Sequence, residues 1–156
     1  MKIKIIYHNK NLKKLENLQV GDWIDLRAAE NVTLKAGESR YISLGVSMKL
    51  PEGYEAHVAP RSSSFKNWGI LQTNSVGIVD NSYSGTNDIW KYPVLATRDT
   101  EILENDRICQ FRIIEKCPTL SLKRSKRWTM LTAAALAAPA RINSRISCLP
   151  QAARET

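Results

Sequence analysis

Four short segments of the 156-residue chain are denser in polar and glycine residues than strand-forming sequence requires. They are Asp25-Leu-Arg-Ala28, Pro60-Arg-Ser-Ser63, Asn74-Ser-Val-Gly-Ile-Val-Asp80-Asn-Ser-Tyr83-Ser-Gly85 and Asn105-Asp-Arg-Ile-Cys-Gln110. Arg61, followed by the hydroxyls of Ser62 and Ser63, suits phosphate: a guanidinium is a planar fork of donors, and hydroxyls and backbone N–H groups fill in around oxygen. Asp80 and Tyr83 lie three positions apart, which puts a candidate general base beside an aromatic stacking surface. Gln110 adds an uncharged donor, and Asp25 could hold a hard cation through water. Each group also has an ordinary role. Arg-Ser-Ser reads as a capped turn, Asp-Asn-Ser as turn chemistry, Tyr83 as a half-buried strand aromatic and Asp25 as a strand-edge charge. His57 alternates outward and is expected to face solvent. The weight lies in four segments occurring together, in this order.

The elements that must position these groups are short strands. Apolar residues alternate in Lys2–Tyr7, Arg40–Leu50, Tyr54–Val58, Ile89–Leu95 and Arg107–Ile114, and a period of two is the strand signature. Turn signals separate them: Ala36-Gly37, Pro51-Glu-Gly53, Asp80-Asn-Ser82, Ser84-Gly85 and Glu104-Asn-Asp106. The third segment reads as a hairpin. Many short, evenly spaced strands predict an all-β domain, a sandwich, jelly roll or barrel. Short helical pieces are predicted at Ser63–Trp68 and near Asn11–Leu18.

Composition narrows the function. At 43% apolar residues the chain can bury a core without staples. No run of 18 apolar residues predicts a membrane span, and the start of the chain does not read as a signal peptide. The formal charge is +8, but it is unevenly placed. Residues 1–122 carry 16 Lys and Arg against 14 Asp and Glu, whereas residues 123–156 carry 7 against 1. Basicity therefore belongs to the tail, and a nucleic-acid partner is not expected. The three cysteines, Cys109, Cys117 and Cys148, have no metal-like spacing. They read as reduced thiols in a cytoplasmic setting. Two regions follow: a β domain over 1–122, and a basic, Ala-rich tail over 123–156 that reads as disordered or weakly helical.

Across roughly residues 18–115, the ordered segments resemble the first four motifs of the trimeric dUTPases. The resemblance implies a jelly roll (β-clip) fold, a homotrimer with active sites shared between subunits, and Mg²⁺-dependent hydrolysis of dUTP to dUMP and pyrophosphate. It implies Asp80 as the general base that activates water and Tyr83 as the aromatic packed on the deoxyribose. Asn74 with the backbone of Gly77, Ile78 and Val79 would read uracil. Arg61, Ser62, Ser63 and Gln110 would clamp phosphate. Asp25 would lie near a Mg²⁺ held mainly by the triphosphate. Water would attack the α-phosphorus in line, with the protein supplying position and charge neutralisation. The chain departs from the family pattern at Asp22-Trp-Ile, at Thr86-Asn-Asp88 and at Asn105. Two other readings of the same fold are a dCTP deaminase and a catalytically silent nucleotide-binding trimer.

The family's fifth motif, a Gly-rich arm with an Arg and a Phe, is missing; all 7 glycines precede residue 86. Back-translation of Trp128–Asn143, read two bases later, permits Asp-Asn-Ala-Asp-Arg-Gly-Gly-Phe-Gly-Ser-Thr-Gly-Lys-Asn and then a stop codon. A frameshift between about Leu122 and Trp128 is therefore expected, with out-of-frame translation beyond it.

Overall fold

The computed structural model describes residues 2–16 and 21–124. Among them are eleven strands and one short helix, in the order β1 (Lys4–Tyr7), β2 (Ile24–Arg27), β3 (Val32–Leu34), β4 (Ser39–Ser43), β5 (Val46–Lys49), β6 (Tyr54–Pro60), α1 (Ser64–Trp68), β7 (Ile70–Gln72), β8 (Gly77–Val79), β9 (Lys91–Ala96), β10 (Thr100–Ile102) and β11 (Arg107–Glu115). All pairings are antiparallel. The strands form a four-stranded sheet ordered β2-β11-β6-β8, a three-stranded sheet ordered β4-β9-β7, and the ribbons β1-β5 and β10-β3. This is the expected all-β jelly roll.

Alternation builds the larger sheet. Along β6, Ala56 and Val58 are buried, while Glu55 and His57 are half-buried on the other face. Along β11, Phe111 points into the core while Gln110 and Arg112 flank it outward. Leu26, Ile42, Ile70, Trp90, Tyr92, Ile108 and Phe111 fill the core. The Trp90 and Phe111 rings meet edge to face, with centroids 5.4 Å apart, the geometry that aromatic quadrupoles favour. A register shift between Arg107 and Cys109 buries both Ile108 and Cys109. Burial pushes the Cys109 thiol well above its ordinary pKa, so it stays protonated. Both Cys109 and Cys117 are free.

Several sequence expectations change in detail. Arg40–Leu50 is two strands, because the chain turns at Gly45. There φ is +63°, and a Cβ would lie 2.6 Å from that of Ala29. Asn11–Glu16 is not helical. Instead the Asn9 side chain accepts from the Asn11 N–H at 2.8 Å, an Asx turn that competes with helix; residues 17–20 lie outside the described chain. The segment Asn74–Gly85 is not a closed hairpin. β8 pairs only with β6, and β7 pairs with β9, so this stretch crosses between the two sheets. His57 faces outward as expected, but it pairs with Glu55 at 2.6 Å. The expected helix at Ser63–Trp68 is α1.

Contacts divide the chain into Met1–Pro118 and Thr119–Thr156, against an expected boundary after residue 122. Of the second unit, 119–124 carry no regular secondary structure, with Leu120 and Leu122 exposed. The expectations for the rest of the tail lie outside the described residues.

Ser64 fixes the start of α1 to the sheet. Fully buried, it accepts from the Arg61 N–H at 3.1 Å and donates to the Ile108 carbonyl at 2.8 Å. Ser64→Ala leaves both backbone groups unpaired and is expected to cost about 1–3 kcal/mol, measured by urea unfolding.

Candidate active site

Two groups of the expected site residues emerge. The first lines a cavity of about 260 Å³ where the crossing segment joins the two sheets. Asn74, Gly77, Ile78, Val79 and Tyr83 are all there, with Val58, Gln72, Trp90, Lys91, Pro93 and Tyr41. Glycine at 77 avoids a tight approach: a Cβ would sit 3.3 Å from that of Val58, and 3.5 Å from the Asn74 amide nitrogen, an ordinary contact. The Tyr83 hydroxyl donates to the Ile89 carbonyl at 3.1 Å, which sets the ring across the mouth.

Asp80 follows β8 directly but does not line that cavity. One carboxylate oxygen accepts the Ser82 N–H at 2.8 Å and the Ser82 hydroxyl at 2.6 Å. The Ser82 hydroxyl, then its N–H, hold the pKa below the ordinary aspartate value, since donors favour the charged form. Among the described residues no donor is within hydrogen-bond distance of the second oxygen, and the Tyr83 N–H lowers the pKa only weakly. Asn81 anchors the turn by donating to the Leu50 and Pro51 carbonyls at 3.0 and 3.1 Å.

The second group sits at the end of β6. The Arg61 Nε donates to Asp25 at 2.6 Å, and Arg107 reaches the other Asp25 oxygen at 3.1 Å. Arg61 also donates to the Ser63 hydroxyl at 3.3 Å. Gln110 donates to the Pro60 carbonyl at 3.1 Å and stands opposite Asp25 in the β2–β11 register. Ser62 is exposed beside them. Ser63 is the α1 N-cap, but its side chain makes no cap bond and instead accepts from Arg61.

Alternation sets the relation between the groups. Val58, in the cavity wall, points to the core side of β6. Gln110 is registered with Ala59 and Asp25, and projects from the opposite face. No cavity residue belongs to the cationic group. The cavity group lies toward the β8 edge of the β2-β11-β6-β8 sheet and the cationic group toward its β2 edge.

Sequence reading missed Arg107, Ser64 and Gln72. Arg107 lies inside the fourth segment. Gln72 ends β7, and the turn that follows brings Asn74 back to it. Among the described residues, no cluster of three His, Cys, Asp or Glu could hold a metal. Asp25 is the single carboxylate of its group. That fits an ion arriving with phosphates, since Mg²⁺ keeps most of its waters and takes only one or two carboxylates.

Residues 23–135 match the dUTPase family model. The chain belongs to the dUTPase family. It is 55% identical over 122 residues to the SPbeta prophage-derived deoxyuridine 5'-triphosphate nucleotidohydrolase YosS of Bacillus subtilis, covering 78% of this chain and 86% of that one. A deoxyuridine 5'-triphosphate nucleotidohydrolase of Finegoldia magna is 38% identical over 120 residues, 74% of this chain and 81% of that one. Among solved structures, the dUTPase of staphylococcal bacteriophage 80alpha with dUPNHPP aligns with a TM-score of 0.71 at 18% identity, over 85% of this chain and 93% of that one. A mutant dUTPase of Staphylococcus aureus phage phi11, described with a structural Mg(II) ion, aligns with a TM-score of 0.70 at 18% identity, over 82% of this chain and 99% of that one. These dUTPase structures share the fold. No described helix is long and apolar enough to cross a membrane.

Ser82→Ala removes the largest influence on Asp80. A ¹³C NMR titration is expected to move the Asp80 carboxyl upward, toward the ordinary aspartate range. The sign follows from the lowered native pKa: the native carboxylate stays ionised until pH falls below that range.

Proposed function

We propose that this chain is a dUTP diphosphatase, hydrolysing dUTP to dUMP and pyrophosphate as a cytoplasmic homotrimer, with Mg²⁺ carried in on the triphosphate. The observation that supports this most is the split site. A nucleoside-sized cavity beside β8 and a guanidinium–hydroxyl cluster beside β2 lie toward opposite edges of one sheet and share no residue, which favours a triphosphate that spans the cavity of one copy and the cluster of a neighbour. A threefold ring of identical contacts supplies one neighbour to each cavity.

In this reading the deoxynucleoside enters between Val58, Gly77 and Tyr83. The Tyr83 ring packs on the sugar. Asn74 and the backbone of Gly77, Ile78 and Val79 meet the base. Asp80 receives the proton of the attacking water through its open oxygen; Ser82 holds the other oxygen and thereby the direction of the carboxylate. From the neighbour, Arg61, Ser62, Ser63 and Gln110 bind the phosphates. Asp25 would hold the Mg²⁺ through water, and the ion neutralises phosphate charge when bound. Asp25 engages only the Nε of Arg61, so the far end of the guanidinium faces the phosphate, which competes with Asp25 for its charge. Attack on the α-phosphorus expels pyrophosphate.

Pyrophosphate release across the deoxynucleoside triphosphates tests the activity, with dUTP preferred; ammonia release from dCTP would favour the deaminase. Variant mixing tests the shared site. Asp80→Asn and Arg61→Ala are each expected to be inactive, and subunit exchange at equal amounts is expected to restore up to about a quarter of wild-type turnover. No recovery on exchange would refute the sharing.

The tail bears on rate. Out-of-frame translation would remove an arm that excludes water and adds a cation. Replacing residues from Trp128 onward with the alternative-frame sequence is expected to raise kcat roughly 100-fold, read by steady-state kinetics. Equal turnover would show the arm dispensable, and resequencing independent clones tests the frameshift.

A further inference from the structure

We infer that Gln72 is a positioning residue for base selection: it locks the Asn74 carboxamide with its nitrogen outward, so the cavity favours a pyrimidine carbonyl over a pyrimidine amine. The inference rests on the cavity being the nucleoside site.

The orientation follows link by link from the hydrogen bonds. The Gln72 Nε2 donates to the Val58 carbonyl at 3.1 Å. A backbone carbonyl only accepts, so Val58 dictates which end of the Gln72 carboxamide is the NH₂. The same nitrogen donates to the Asn74 side chain at 2.8 Å, so the atom it meets is the Asn74 oxygen. The Asn74 nitrogen is then the free end, and it donates to no other described residue. Both amide nitrogens lie close to Gly77: a Cβ there would be 3.5 Å from the Asn74 nitrogen and 3.6 Å from that of Gln72.

An amide is nearly symmetric in shape, and its terminal torsion is soft. Without a partner, Asn74 could present either end. With Gln72 in place it presents N–H. Position 4 of uracil is a carbonyl and accepts that N–H; position 4 of cytosine is an amine and leaves two donors facing each other. Unpaired donors in a confined site are costly, which turns a fixed amide into selectivity. The lever therefore lies in β7, outside the segment that meets the base.

Calorimetric titration of the full-length chain with dUMP and with dCMP tests this. The wild-type chain is expected to prefer dUMP. Gln72→Leu is expected to narrow that preference about tenfold, mainly by weakening dUMP. In an Asn74→Ala background the same substitution should narrow it no further, the signature of one residue acting through the other. Gln72→Glu has no donor for the Val58 carbonyl or the Asn74 oxygen, so it releases Asn74 as leucine does and should also narrow the preference; it serves should the leucine variant not fold. A Gln72→Leu chain that keeps the wild-type ratio, or weakens both nucleotides equally, overturns the inference and leaves the base-reading role of Asn74 standing. A wild-type chain with no preference overturns that role and the inference together.

Discussion

The antiparallel pairing of β6 with β11 carries both halves of the chemistry. Its register aligns Phe111 with Val58 and Gln110 with Ala59. The first pair closes the core, and its Val58 also walls the cavity. The second carries Gln110 outward, level with Asp25 on β2. Because side chains alternate with a period of two, a slip of one residue would exchange the faces, burying polar groups and exposing Phe111. The penalty against that slip is the burial of Val58, Ala56, Leu26 and Phe111. The hydrophobic core therefore sets which direction each functional group points.

The local devices are economical. Ser64 ties the turn carrying Arg61 to the bulged start of β11. Ser82 orients Asp80 while holding it ionised. Tyr83 is set by its bond to the Ile89 carbonyl. In each case a neutral hydrogen-bonding group fixes a reactive one without adding charge, and the site's electrostatics are left to the guanidiniums and the incoming phosphates.

Much of the cavity was legible in the sequence. Asn74, Gly77 and Tyr83 belong to one ordered segment, and they line one hollow. The strands with clean alternation, such as Tyr54–Val58 and Arg107–Ile114, were legible too. Three-residue strands such as β3 and β10 were not, since alternation has no statistical weight over so short a run. The crossing of Asn74–Gly85 between two sheets also escaped notice, because strand patterning does not reveal which partner a strand takes. Arg107 and Gln72 were hidden for a related reason. Their roles come from contacts with Asp25 and Asn74, and only the folded register brings the first of these pairs together.

The bridging of Asp25 by two arginines has a consequence for the idle protein. An empty anion site built from bare guanidiniums would collect any sulfate or monophosphate in the surroundings. Here the carboxylate occupies the cations as a tethered counter-ion, and an intruder must outcompete it. A weakly charged anion gains too little in that exchange. In the proposed reaction, a polyanion that brings its own metal would give Asp25 a new partner as it draws on the arginines. Selectivity for long phosphate chains can thus reside in the resting ion pair, before any closure over the ligand.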